Sequence, residues 1–554
     1  MRHVRHASFR PFVILAALTL GACADTEDDL DEVGGTPEGD SSSSAETGEE
    51  DPQTKELRWV PAHGISILEV EANQGTRVAV TGESGDWLGP TQRNMRLVSD
   101  RDTLLRVHWK VEEGWQPHEV KARMTLDLGN GEPPIVREQI RLVSGDSTRT
   151  ALERTFYFGL TADQGETVPG ARIKVELLES DVEQNTSLAT GVQVSPASGL
   201  ELVGFESDPM QLKLVLVPIH YTGGGQDRLP NLNEANVKTL IDTLYEENPV
   251  QDVIYQVRGH IGYDKPMVNL GALLPLMANV KQKDGTDPNV YYPALIDIGC
   301  PVVGCGNFGV AGIALMAGSS KNASLSRVAA SVFWESKTGS IARTADTFVH
   351  EVGHNQGLAH VACPGVNAAG PDPDYPYAGG KIGQWGFGIR SFSLHNPTSA
   401  HDYMTYCGNS WGSDWTFLKT YNRIKTLTSW DFGGADMGES TEGAEWTMGE
   451  QLMIGALYPD GSEEWFTLPG GIDVEEIVPD ETLAFEFAGQ QIEQPTVIRT
   501  LSDGETQWVV APLPEGTDIA AVDQVTHLRH GEVRRVIGRD EILVDLAAGT
   551  EVTF

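Results

Sequence analysis

His350-Glu351-Val352-Gly353-His354-Asn355-Gln356-Gly357-Leu358-Ala359-His360 is the stretch that decides how this chain is read. On a helix, His350 and His354 are four apart and project from one face, one turn from each other, as two ligands of one ion require. Ala345, Phe348, Val349 and Val352 supply the apolar stripe that seats such a helix on a core. Glu351 follows the first imidazole, where its carboxylate reaches the attacking water without binding the metal. Gly357 lets the chain turn sharply through positive φ, and that turn brings His360 back as a third ligand. Three imidazoles leave a fourth position open, the layout of a catalytic rather than a structural zinc site.

The surroundings fall into three folded segments. Leu212-Lys213-Leu214-Val215-Leu216-Val217-Pro218-Ile219 is a nearly continuous apolar strand, and Asn233 to Tyr245 carries helical spacing at Val237, Leu240, Ile241 and Leu244. Strand followed by helix opens an α/β-type segment over 208–430. Before it, residues 56–207 show short period-2 runs broken by Gly, Pro, Asp and Asn, which argue for a β-sandwich. His63, His108 and His118 are scattered there and read as surface or packed residues. After it, residues 431–554 return to alternating strands such as Thr482 to Phe487, one or two small β modules.

A chain of 554 residues with 40% hydrophobic content and 12 Trp builds real cores. Its formal charge of −39 repels phosphate backbones, so nucleic acid is excluded as a partner. The acidity is concentrated in residues 24–54 and 426–498, which contain no Lys or Arg. At the N-terminus Arg2, Arg5 and Arg10 precede an apolar run from Pro11 to Leu20, a signal peptide over 1–22. Leu20-Gly21-Ala22-Cys23 resembles the lipobox of bacterial lipoproteins, implying export with lipidation at Cys23; ordinary signal cleavage near Ala22 is the alternative. The membrane is then met only through that anchor. Residues 23–55 form an acidic disordered linker.

The extended histidine motif resembles the signature of the metzincin zinc metallopeptidases, His-Glu-x-x-His-x-x-Gly-x-x-His followed by a Met-turn. Asp402-Tyr403-Met404-Thr405-Tyr406 stands where that turn is expected. The resemblance implies an α+β metzincin-like catalytic domain flanked by all-β, sandwich-like domains. It makes His350, His354 and His360 the ligands of one Zn2+, Met404 the hydrophobic floor of the site, and Glu351 the general base and then general acid. Tyr406 matches the position of a tyrosine that stabilises the oxyanion in some branches, with a packed aromatic as the alternative reading. Gly309-Val310-Ala311-Gly312-Ile313-Ala314-Leu315-Met316 is either the edge strand along which metzincins bind peptide or an ordinary interior strand. The stretches from Asp374 to Gly386 and from Asp402 to Cys407 look most like a bacterial secreted group that includes glycoprotein- and mucin-cleaving enzymes, although Val361 departs from the best-known branches.

Besides Cys23 there are Cys300, Cys305, Cys363 and Cys407, which allow three connectivities. If the Met-turn lies under the metal, Cys363–Cys407 is favoured and Cys300–Cys305 closes a small loop. Asp372, Asp374 and the acidic 426–498 region are candidates for a structural Ca2+. His395 and His401, near the Met-turn, read as loop residues. The expected function is a secreted or surface-anchored zinc endopeptidase acting on protein or glycoprotein substrates. The alternative is a catalytically silent adhesion or carbohydrate-binding lipoprotein that retains the zinc site.

Overall fold

The apolar run from Leu212 becomes the central strand of a parallel sheet because both of its faces are covered. In the computed structural model, β1 (Gln211–Tyr221) pairs in parallel with β2 (Asp252–Val257) on one side and with β3 (Val290–Ile296) on the other. Beyond β3 lie β5 (Val328–Val332), also parallel, and β4 (Gly312–Ala314), an antiparallel strand at the edge. Successive strand side chains point to opposite faces. Leu212, Leu214 and Leu216 therefore pack on helices α1 (Glu234–Glu246) and α3 (Ile341–Asn355), while Val215, Val217 and Ile219 pack on α2 (Leu273–Asp284). The candidate edge strand is thus an edge strand at Gly312–Ala314. Helix α4 (Asp414–Ser429) adds Phe417, Tyr421, Ile424 and Leu427 to the α1–α3 face.

The structure describes residues 58–82, 85–181, 191–299, 310–334, 340–433, 451–472 and 476–543. The signal segment 1–22, the whole linker 23–55 including Cys23, and Cys300, Cys305 and Gly309 lie outside these residues. No helix among the described residues is long and apolar enough to cross a membrane.

Two antiparallel sheets and a short parallel pair, Leu97–Val98 with Phe205–Glu206, make up the described N-terminal segment. One sheet contains Arg172–Ser180, His118–Asp127 and Ile135–Val143; the other contains Ile65–Asn73, Thr103–Val111 and Phe156–Leu160. Their inward residues, among them Val107, Trp109, Met124 and Val175, share one apolar cluster with α1 and α3. Its histidines pair with carboxylates: His63 and His118 meet Glu179, and His108 meets Glu71. Arg101, fully buried, fastens this segment to the next. Its guanidinium donates to the carbonyls of Gln74, of Val250 at 2.6 Å and of Tyr245 at 2.8 Å, near the end of α1.

Beyond α4 the described strands form a single eight-stranded sheet. Leu452, Ile454, Phe466, Trp508 and Val510 on one face join the cluster around α2, and Met453, Trp465, Phe485 and Val509 on the other build a separate core. The C-terminal sheet is therefore packed onto the α/β segment.

Candidate active site

Helix α3 begins at Ser340, whose side chain accepts the amide of Arg343, and buries the predicted stripe of Ala345, Phe348, Val349 and Val352. It ends at Gln356, and Gly357 takes φ +84°. That angle favours glycine, and a Cβ there would in addition have to displace the end of Arg423, whose Nη2 would stand 2.4 Å away. That turn returns His360 to the helix. His354 Nε2 lies 3.1 Å from His350 Nε2 and 3.2 Å from His360 Nε2.

Each of the three rings is aimed by its other nitrogen. Nδ1 of His350 donates to the carbonyl of Tyr403, that of His354 to Leu358 and that of His360 to Ala369, all at 2.7 Å. With Nδ1 protonated, every Nε2 presents a lone pair. Burial holds the rings neutral: it pushes His350 down to about 4, with His360 nearby adding to the effect, and lowers His354 and His360 as well. Lone pairs 3.1 and 3.2 Å from that of His354 repel it unless a cation lies between them. The donor set is that of a divalent metal with an open coordination position, so these residues fit zinc.

Glu351 is buried beside the first ring, under the edge strand. A Cβ at Gly312 of β4 would stand 2.4 Å from Glu351 Oε1, so only glycine lets the strand pass over the carboxylate. Burial raises the Glu351 carboxyl well above the usual carboxylate range. Met404 is fully buried, with its sulfur against Gly353 of α3, and its carbonyl accepts the amide of Val361. The Tyr406 hydroxyl lies 2.8 Å from His360 Nε2 on the open side, and burial raises its pKa, keeping it a neutral phenol. A disulfide joins Cys363 to Cys407 with Cα atoms 6.3 Å apart, tying the chain after the third histidine to the chain after the Met-turn.

Two family models match this part of the chain. Residues 276–361 match the metallo-peptidase family M12B, reprolysin-like, and residues 336–448 match peptidase M66. Both spans contain the histidine triad. The chain carries a metallopeptidase domain. No curated protein matches the chain.

Other residues of the metallopeptidase domain are placed around this centre. Asp402, fully buried, accepts the amides of Met404 and Ser413 and the hydroxyl of Thr416 at 2.6 Å, fixing the Met-turn to the start of α4. Asn355 donates to the carbonyls of Leu315 and Val328 at 2.8 Å and so ties the end of α3 to the edge of the sheet. His395 stacks on Trp411, with ring centroids 3.7 Å apart, and His401 bonds to Gly408 and Lys381; neither joins the triad.

The calcium expectation finds no support among the described residues, and positions 434–450 and 473–475 of the acidic 426–498 region lie outside them. Asp372 forms an ion pair with Lys419, and its other oxygen caps the amide of Asp374, so its carboxylate is already engaged. Among the described residues, the triad alone groups three His, Cys, Asp or Glu side chains around a possible metal.

Sequence reasoning missed a contribution from the C-terminal sheet. Ser502 places its hydroxyl 3.4 Å from Glu351 Oε2. Asp503-Gly504 marks a hairpin turn in the sequence, but nothing local says where such a turn docks.

Proposed function

We propose that this chain is an exported zinc endopeptidase of the metzincin type, cleaving peptide bonds of extracellular proteins or glycoproteins. The observation that carries this reading is the convergence of three Nε2 atoms, each aimed by an Nδ1 bond to a backbone carbonyl, beside a carboxylate that is not among the candidate ligands. Zinc held there supplies Lewis acidity toward water and toward the scissile carbonyl. The Glu351 carboxylate accepts the proton of the attacking water at an Oε atom and delivers it to the leaving amine. A cation at the triad would favour its ionised form against the burial that raises its pKa. The Tyr406 hydroxyl, a neutral donor on the open side, hydrogen-bonds to the oxyanion as it develops. Met404 and the Cys363–Cys407 bridge keep the three rings and Tyr406 in register. Export rests on Arg2, Arg5 and Arg10 before the apolar run, and anchoring rests on lipidation of Cys23.

The test is zinc stoichiometry together with digestion of a denatured protein and of a mucin, with and without a chelator. The native chain is expected to bind one zinc and to lose activity reversibly on chelation. Glu351→Gln should keep the zinc and lose at least ~10²-fold in kcat. A Glu351→Gln protein with full activity, or an inert but zinc-loaded native protein, would refute the proposal.

A further inference from the structure

The C-terminal sheet enters the active-site cleft through one turn. Strands β6 (Gln490–Thr500) and β7 (Gln507–Pro512) are antiparallel neighbours joined by Leu501 to Thr506. This turn is built to hold its shape. The amide of Leu501 donates to the carbonyl of Thr506 and that of Gly504 to Leu501, both at 2.9 Å, while Asp503 Oδ1 accepts the amides of Glu505 and Thr506.

Its near end lies on the edge strand. Pairing of β4 with β5 is antiparallel and opposes Ile313 to Ala330, so the backbone groups of Ala314 turn outward, where an added strand would bond. Both are taken. The Ser502 amide donates to the Ala314 carbonyl at 3.0 Å, and the Ala314 amide donates to Ser502 Oγ at 3.0 Å. Leu501 bridges Leu315 in antiparallel sense and is itself buried. The far end meets the opposite lip: a Cβ at Gly504 would stand 2.2 Å from that of Ala369, whose carbonyl holds His360. Next to the turn remains a cleft of about 1050 Å³ lined by His354, His360, Tyr406 and Met316.

We propose that the turn from Leu501 to Thr506 determines specificity by closing one end of the substrate groove. It takes the hydrogen bonds on Ala314 that an extended peptide would make there. A substrate can then engage main-chain bonds only on the other side of the metal, and the residues on the blocked side add no affinity. The inference rests on the peptidase reading for its consequence, but the occupation of Ala314 can be measured without catalysis.

The test uses zinc-loaded full-length protein and peptide hydroxamates of one to four residues, which anchor on the metal. One series extends toward the N-terminal side of the scissile position and the other toward the C-terminal side. In the native chain, Kd is expected to tighten with length in one series and to stay flat in the other. Replacing Ser502 to Glu505 by a two-residue Asn-Gly turn should make the flat series tighten by roughly 10-fold, the worth of two recovered main-chain bonds. Ser502→Pro, which removes the amide bound to Ala314, serves as a second variant should the shortened turn not fold. Equal length dependence in native and variant proteins, or native affinity rising along both series, overturns the inference. If the expected binding pattern is found while no form hydrolyses any peptide, the blocked groove stands and the peptidase reading falls.

Discussion

Gly353→Ala separates the structural and metal-holding duties of the Met-turn. A glycine inside α3 ordinarily costs about 1 kcal/mol relative to alanine, so helix propensity alone predicts stabilisation. The packing opposes it. A Cβ at Gly353 would stand 2.6 Å from Met404 Sδ and 3.0 Å from Tyr403 Cε2, whereas relaxed contacts lie near ~3.5–4.0 Å. The sulfur must retreat by about 1 Å, and Met404 is fully buried. Overpacking of this kind costs roughly 1–3 kcal/mol, so the variant is expected to lose about 0–2 kcal/mol net. The larger effect falls on the metal. Moving the Met-turn moves the Tyr403 carbonyl, which holds His350 Nδ1 at 2.7 Å, and disturbing such a partner lowers metal affinity by roughly 10–100-fold. Urea denaturation of the metal-free protein and zinc competition against a chromophoric chelator read the two terms separately. In the Gly353→Ala/Met404→Ala double variant, the stability loss should be smaller than the sum of the single losses, because the two side chains share one space. A Gly353→Ala protein that gains about 1 kcal/mol and binds zinc as the native chain does would refute the reasoning.

Replacing Cys363 and Cys407 by Ser opens a loop with a sequence separation of 44; the chain-entropy relation predicts a loss of about 4 kcal/mol, read as a lower urea midpoint, and an unchanged midpoint would count against the bridge. Arg101→Leu strips the partners from the carbonyls of Gln74, Tyr245 and Val250, and a loss of about 2–4 kcal/mol is expected in the same assay; a neutral outcome would mean that water replaces the guanidinium. Burial on Trp411 pushes His395 down to about 4, below its ordinary value near 6.5. The folded state then favours the neutral ring, so the His395 contribution is complete above pH ~6.5 and lost as pH falls toward ~4. Because the buried carboxyls of Glu247 and Glu351 are raised and titrate in the opposite sense, the test is a difference: the urea-midpoint gap between native and His395→Gln proteins should shrink from pH 7.5 to pH 5. A constant gap would contradict the assignment.

The metal centre is legible in the sequence because its determinants are local. Helical spacing brings His350 and His354 together, and one glycine angle brings back His360, all within a dozen residues. Met404 and Tyr406 are legible only by resemblance, since nothing periodic connects them to α3. The continuous apolar run at Leu212 announces a strand covered on both faces, and the alternation of its residues between two clusters bears that out. What escapes is the long-range placement of polar groups. Arg101 and Glu71 count as surface residues by hydropathy, yet both are fully buried. Burial alone would raise the Glu71 carboxyl, and His108, Arg106 and Arg149 outweigh it. The alternating strands after Trp430 likewise do not reveal that those described form one sheet, because register between distant strands is not written in their composition.

The consequence for function is that the active site is shared by segments that composition separates. One apolar cluster runs from the N-terminal sandwich into α1 and α3, the helix that carries His350 and His354. The other runs from α2 into the C-terminal sheet, which delivers Ser502 to Glu351. Asn248, just past α1, accepts from Gln356 at the end of α3, so the turn that returns His360 is braced from the same helix that Arg101 pins to the sandwich. Both flanks are thus joined to the α/β segment that carries the triad by close-packed side chains. The C-terminal sheet forms part of the wall of the cleft through Thr500 to Glu505. In the proposed groove, substrate choice depends on the turn from Leu501 to Thr506 as well as on the zinc site.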